Sequence, residues 1–173
     1  MVRFLTKSIG ILGGSFDPAH KGHLMISKIA IKELKLNKIL WSVTKQNPFK
    51  DPSFYSLSQR MRKAKKISKN IKKIQVVHLE NATRSSRIID TINYLIKKKK
   101  LKIIYFIIGS DNLINFHKWK DWKKIVKLSK LIVFSRKGYD RKGKKSIAAK
   151  YLKKKKIFIK NKPFIISSTN IRR

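Results

Sequence analysis

The sequence predicts an α/β fold in three layers: a central, mostly parallel sheet of five or six strands with helices on both faces. Three observations predict it. Short β-branched or aromatic runs alternate with stretches of helical periodicity along the chain, the pattern of strand–helix–strand units that build parallel sheets. The strand runs are apolar at nearly every position, as in strands covered on both faces. The first of them opens into a glycine-bearing turn just ahead of a helix.

The strand runs are Ile9–Leu12, Ile39–Val43, Ile74–Val77, Ile103–Ile108 and Leu131–Phe134, with a weaker sixth at Ile157–Ile159. Helices are predicted over His23–Leu34, Leu57–Ser68, Ile88–Lys97 and Trp119–Leu128. In the first, Ile26, Ile29, Ala30 and Glu33 recur at helical spacing, and in the third Ile88, Ile92, Leu95 and Ile96 do so. The runs Lys97–Lys100 and Lys153–Lys156 read as helix ends, where cations complement the carboxyl pole. No repeat or long linker divides the 173 residues, so one domain spanning 1–173 is expected.

Composition narrows the function classes. There are no cysteines, which excludes a disulfide framework or a thiolate metal site. The longest apolar run, Ile103–Ile108, is far short of the ~18 residues a membrane span needs, and no signal peptide is legible. A reducing cytoplasm is the expected compartment and no membrane partner is expected. The formal charge of +37 raises polyanions as partners. However, 36 of the 45 basic residues are lysines spread over the whole chain, alongside 26 isoleucines. That pairing fits a biased coding sequence and a solvated lysine surface, so a specific nucleic-acid partner is not expected. The field still favours phosphate-bearing ligands.

The turn after the first strand is the most informative segment: Gly13-Gly14-Ser15-Phe16-Asp17-Pro18-Ala19-His20-Lys21-Gly22-His23-Leu24. Gly13 and Gly14 let a ligand approach the backbone and permit φ > 0. The following helix aims its amino end at the same place, where N–H groups favour an anion. His20 and His23, three apart, share a face if both lie on the first helical turn, and two imidazoles there suit phosphoryl oxygens that gain charge. No G-x-G-x-x-G and no P-loop pattern is present.

This segment resembles the H-x-G-H signature of the nucleotidyltransferase superfamily. Ile166-Ser167-Ser168-Thr169-Asn170-Ile171-Arg172 resembles its second motif, I-S-S-T-x-I-R. Four more segments are similar to bacterial nicotinate-nucleotide adenylyltransferase: Gln46–Lys50, Gly109–Leu113, Phe116–Trp122 and Leu131–Tyr139. The resemblance spans nearly the whole chain. It implies a Rossmann-like α/β/α nucleotidyltransferase fold and the reaction of ATP with nicotinate mononucleotide, giving deamido-NAD and pyrophosphate with Mg²⁺. No protein metal site is expected.

By the same resemblance, His20, His23, Lys50 and Arg172 are the expected catalytic residues. Gly13, Gly14, Ser15, Phe16, Gly109, Asp111, Ser168 and Thr169 would join the histidines and Arg172 around ATP. Ser15, Lys50, Arg87, Trp119 and Arg136 would hold the mononucleotide, with Trp119 stacked on the pyridine ring. The lesser alternative for Asp111 is to cap a helix starting at Asn112, Trp122 is as well suited to the core as to a ligand, and His78 and His117 read as structural.

Two departures from the family pattern stand out. Family members usually present Ser-Tyr-Thr ahead of the helix leading to the fourth strand; here Arg87 and Ile88 stand at the Tyr and Thr positions, and Arg87 would grip the nicotinate carboxylate directly. The chain also stops at Arg173, shorter than the family pattern, so pyrophosphate binding would lean on side chains there. The competing readings are pantetheine-phosphate adenylyltransferase, or another nucleotidyltransferase, and a lysine-rich nucleic-acid-binding protein on an inactive enzyme scaffold.

Overall fold

A computed structural model describes residues 8–47, 50–99, 101, 103–153, 156–161 and 171. Its strands are β1 (Ser8–Gly14), β2 (Lys38–Val43), β3 (Ile74–Val77), β4 (Ile103–Gly109), β5 (Lys130–Phe134) and β6 (Ile157–Ile159). They form one sheet in the order β3-β2-β1-β4-β5-β6, and every adjacent pair is parallel. The helices are α1 (Lys21–Glu33), α2 (Leu57–Ser68), α3 (Glu80–Thr83), α4 (Ile88–Lys99), α5 (Ser110–Asn115), α6 (Trp122–Leu128), α7 (Asp140–Lys145) and α8 (Ile147–Leu152). A 3-10 turn, Phe116–Lys118, links α5 to α6. This is the Rossmann-like layout.

The apolar runs are continuous because the sheet has two cores. Ile11, Phe106, Ile108, Leu131 and Val133 pack in one with Ile92 and Leu95 of α4 and Ile125 of α6. Leu12, Ile39, Trp41, Ile107, Ile132 and Phe134 belong to the other, with Ala30 of α1 and Ala64 of α2. Successive strand residues thus go to opposite faces, as the period of two requires. Trp41, fully buried, satisfies its indole N–H on the Ser27 hydroxyl at 2.7 Å.

Besides shifts of one or two residues at other ends, three boundaries near the cleft and α6 differ from those the periodicity predicts. β1 runs on to Gly14, so the two glycines end the strand instead of lying in the turn. α1 starts at Lys21 with His20 as its cap. The helix expected from Trp119 starts at Trp122, because Asp121 adopts a left-handed conformation (φ 55°) that separates it from the 3-10 turn. The short helices α3, α5, α7 and α8 carry too few residues for a periodic signal. At the end of α8, Lys156 Nζ donates to the carbonyls of Ala149 and Lys153 at 3.0 and 2.8 Å, a carboxyl-pole role for the lysine run.

Central and edge strands should differ in sensitivity. Ile107→Ala, at a fully buried position on β4, should cost about 2–5 kcal/mol in denaturant unfolding, as truncations of a well-packed core do. Ile157→Ala, 44% exposed on edge strand β6, should fall within about 1 kcal/mol of the parent.

Candidate active site

β1 is flanked by β2 and β4, so the chain reverses direction across the sheet at β1/β4. In open parallel sheets that point leaves a crevice at the carboxyl ends of the strands. Here it is a cleft of about 1210 Å³. Gly13 and Gly14 are at its floor. A Cβ at Gly13 would meet only the Phe106 ring edge, at 4.0 Å, so the absent side chain leaves room for a ligand. The positive φ expected of these glycines falls instead on Phe16 (φ 49°). That residue turns inward, 2% exposed, with its ring 5.2 Å from Trp41 and 4.7 Å from His23. Phe16 thereby supports the His23 ring from the core side.

The two histidines meet through a cap, not through a shared helical face. His20 is extended (φ −144°, ψ 174°), and its side chain accepts the N–H of Gly22 at Nδ1, 3.1 Å away. His23 Nδ1 in turn accepts the His20 N–H at 3.1 Å. The pair forms a reciprocal capping box, with ring centroids 3.9 Å apart. Since both Nδ1 atoms face main-chain donors, each neutral ring must carry its proton on Nε2. Burial, then the Arg136 charge, lowers the His20 pKa to about 4. Burial also holds His23 well below the ordinary histidine range, reinforced by His20, Arg136 and Lys50. At neutral pH both rings are uncharged Nε2–H donors.

On the facing side, the ends of β4 and β5 bring Asp111 and Arg136 together as an ion pair between Asp111 Oδ2 and Arg136 Nη1. Asp111 lies in the first turn of α5, which begins at Ser110, so it does not cap a helix starting at Asn112. A second carboxylate fixes this corner. Asp140 accepts the Ser110 hydroxyl at 2.6 Å, the Ser135 hydroxyl and the Arg136 N–H at 2.9 Å. Burial alone would raise the Asp140 pKa, but these hydrogen bonds and Lys144 outweigh it and hold the carboxyl below its usual range.

Lys50, Arg87, Gly109 and Trp119 also line the cleft. Trp119 is half-buried and packs on Phe106 and Phe116, with centroids at 6.0 and 5.4 Å. Trp122 faces Phe116 and Tyr151 and packs on the core, and His78 Nδ1 is bonded to the Val43 carbonyl at 2.9 Å. Every expected site residue among the described ones therefore borders the one cleft. Ser168, Thr169 and Arg172 lie outside the described residues.

Known proteins similar to this chain identify its family. The family model described as cytidylyltransferase-like matches residues 11–173. A probable nicotinate-nucleotide adenylyltransferase of Pelagibacter ubique is 52% identical over 166 residues, 95% of this chain and 92% of that protein. The chain belongs to the nicotinate-nucleotide adenylyltransferase family. A probable member of that family from Nitratiruptor is 40% identical over 132 residues, 76% of this chain and 75% of that protein. Among solved structures, Plasmodium falciparum nicotinic acid mononucleotide adenylyltransferase complexed with NaAD has a TM-score of 0.75 at 22% identity, covering 96% of this chain and 82% of that one. At that identity the likeness is one of fold.

Nucleotidyl transfer from ATP commonly uses a divalent ion. Among the described residues no group of three or more histidines or carboxylates is placed to hold a metal, while Asp17 and Glu80 are bonded to main-chain amides and Asp111 to Arg136. Asp140 was not legible as a site residue, nor was Glu80. Asp17 lay inside the first motif, and that was the one signal of its role.

The depressed histidine pKa values carry a measurable sign. The unfolded chain takes up protons as pH drops below 6.5, while folded His20 resists protonation until about 4. The histidine contribution to stability is therefore complete above 6.5 and declines from there toward about 4. NMR titration of the ring protons should place His20 near 4, with His23 also unprotonated at neutral pH. Midpoints near 6.5 for both would contradict the capping geometry.

Proposed function

We propose that this chain transfers the adenylyl group of ATP to nicotinate mononucleotide, giving deamido-NAD and pyrophosphate in NAD biosynthesis. The observation that carries the reading is the convergence of two neutral Nε2–H donors with Lys50, Arg87 and Arg136 on one switch-point cleft. The names of the Pelagibacter ubique and Nitratiruptor relatives support the same reaction. We place the reaction in the cytoplasm; no helix among the described residues is long and apolar enough to cross a membrane.

In this reading, an oxygen of the mononucleotide phosphate bonds to the α-phosphorus of ATP as the bridging α–β bond breaks, and that electron pair departs with pyrophosphate. The protein's work is alignment and charge stabilisation. Gly13, Gly14, Ser15 and Phe16 bring backbone to the nucleotide, and Gly109 and Asp111 flank it across the switch point. His20 and His23 donate from Nε2 to oxygens that gain charge. Because the rings are already neutral and oriented by the cap, no proton need be lost or tautomer changed as the transition state forms. Lys50 and Arg172 add fixed positive charge, and Ser168 and Thr169 hold the departing pyrophosphate. Mg²⁺, carried by ATP, neutralises phosphate charge when bound.

At the other end of the cleft Trp119 offers its face to the pyridine ring, and Arg87 pairs with the nicotinate carboxylate. Arg136 receives the mononucleotide phosphate. It is now paired with Asp111, so the arriving phosphate competes for the guanidinium and releases Asp111 toward ribose hydroxyls.

The deciding assay is pyrophosphate release from ATP and Mg²⁺ with nicotinate mononucleotide, nicotinamide mononucleotide and phosphopantetheine in parallel. Strong preference for the first is expected; preference for phosphopantetheine would move the chain to a sister activity. His20→Ala and His23→Ala should each lower kcat by about 10²–10³, as loss of one preorganised donor does. Each also deletes half of the capping box, at about 0.5–2 kcal/mol of stability, so folded protein must be verified. Arg87→Ala should raise KM for the acid mononucleotide selectively. An unchanged acid-to-amide ratio would remove Arg87 from the carboxylate site.

A further inference from the structure

Arg60, in the first turns of α2, is 2% exposed, yet its guanidinium touches no carboxylate directly. Its donors go to main-chain carbonyls from three separate segments. Nε donates to Tyr55 O at 3.0 Å, Nη1 to Ser15 O and Thr44 O at 2.7 Å each, and Nη2 to Lys45 O at 2.8 Å. Ser15 belongs to the loop that carries His20; Thr44 and Lys45 follow β2; Tyr55 ends the segment that contains Lys50.

Two carboxylates hold main-chain N–H groups of the same segments. Asp17 accepts the N–H groups of Phe54 and Tyr55 at 2.8 and 3.0 Å. Glu80 accepts the Lys45 N–H at 3.0 Å and the Thr44 hydroxyl at 2.6 Å. Tyr55 and Lys45 thus each give an N–H to an anion and a C=O to the same cation. Burial disfavours the Arg60 charge, and the nearby charges of Asp17 and Glu80 favour it. The planar fork of arginine suits several carbonyls at fixed angles; a lysine at this place brings fewer, freely rotating donors.

We propose that Arg60 is a positioning residue for adenylyl transfer. Acting through Ser15 on one side and through Thr44, Lys45 and Tyr55 on the other, it sets the distance between the histidine loop and the loop bearing Lys50. The proposal rests on the adenylyl-transfer reading above. That reaction needs the acceptor phosphate and the α-phosphorus held near 3–3.5 Å apart and in line, and a misplacement of about 1 Å costs on the order of 10² in rate. An error in this spacing would impair the chemical step while leaving each substrate its own contacts.

The test is Arg60→Lys, measured for kcat, for KM of both substrates, and for amide hydrogen exchange. The expected result is a fall in kcat of at least about tenfold with both KM values within about threefold of the parent. Exchange at Thr44, Lys45, Phe54 and Tyr55 should accelerate as a group, with the β4 and β5 amides unchanged. An unaltered kcat in folded protein overturns the proposal, as does a rise in both KM values at constant kcat. Should Arg60→Lys not fold, Glu80→Gln keeps the volume and loosens one side of the arrangement. A drop in kcat of a few fold at constant KM is then expected, and parental kcat overturns the proposal. A parent chain that releases no pyrophosphate would instead sink the functional reading. The positioning role would then stand or fall on whether exchange in the two loops accelerates together.

Discussion

β1 hydrogen-bonds to β2 on one side and to β4 on the other, and all of these pairs are parallel. That pairing forces the connections after β1 and β4 to leave the same edge of the sheet in opposite directions, opening the cleft between them. Everything that reaches the cleft starts from those two strand ends. Gly14 leads into the histidine loop, Gly109 leads into Asp111, and β5, paired to β4, ends beside Arg136. The buried faces of the sheet hold these ends in register. Trp41 stacks on Phe16, and Phe16 supports His23, so the inner core extends without a gap to a side chain that lines the cleft.

Charge in the site is divided between groups that are fixed and groups that are neutral. The chain is strongly basic, and another cation inside the cleft would face Arg136 and Lys50 as well as the loss of water. The histidines avoid this by remaining uncharged, their Nδ1 atoms engaged by the main chain. Arginine and lysine carry the positive charge, and the scarce carboxylates hold the scaffold. Of eight acidic residues, Asp17 and Glu80 hold loop amides, Asp111 pairs with Arg136, and Asp140 joins the ends of β4 and β5. Asp17, Glu80 and Asp111 line the cleft together with Asp51, and Asp140 holds the corner behind Arg136, so the few anions mark this region as the one where geometry matters most.

The fold was legible because its signal is repetitive. Each strand is a compact apolar run, and burial on both faces makes that run continuous, so the five principal strands and the edge strand fall where the pattern puts them. The site was legible for a different reason: His20, His23, Lys50, Asp111, Trp119 and Arg136 lie within local segments whose residue order is itself the signal. Boundaries were less readable. Asp121 adopts a left-handed conformation that delays α6, and His20 stands outside α1 as its cap; both depend on backbone geometry that composition encodes weakly.

The sequence by itself determined the α/β architecture, the glycine pair that follows the first apolar run, and the loop in which two of four histidines are gathered. Those are properties of neighbours along the chain. Only the tertiary structure decided which nitrogen of each histidine bears the proton, that Asp111 and Arg136 meet, and that Arg60 joins Ser15 to Thr44, Lys45 and Tyr55. Arg60 looks like one more surface cation on a basic helix when read in line. Its burial follows from three loops presenting carbonyls to one point in space, and partners up to 45 residues away leave no trace in local spacing.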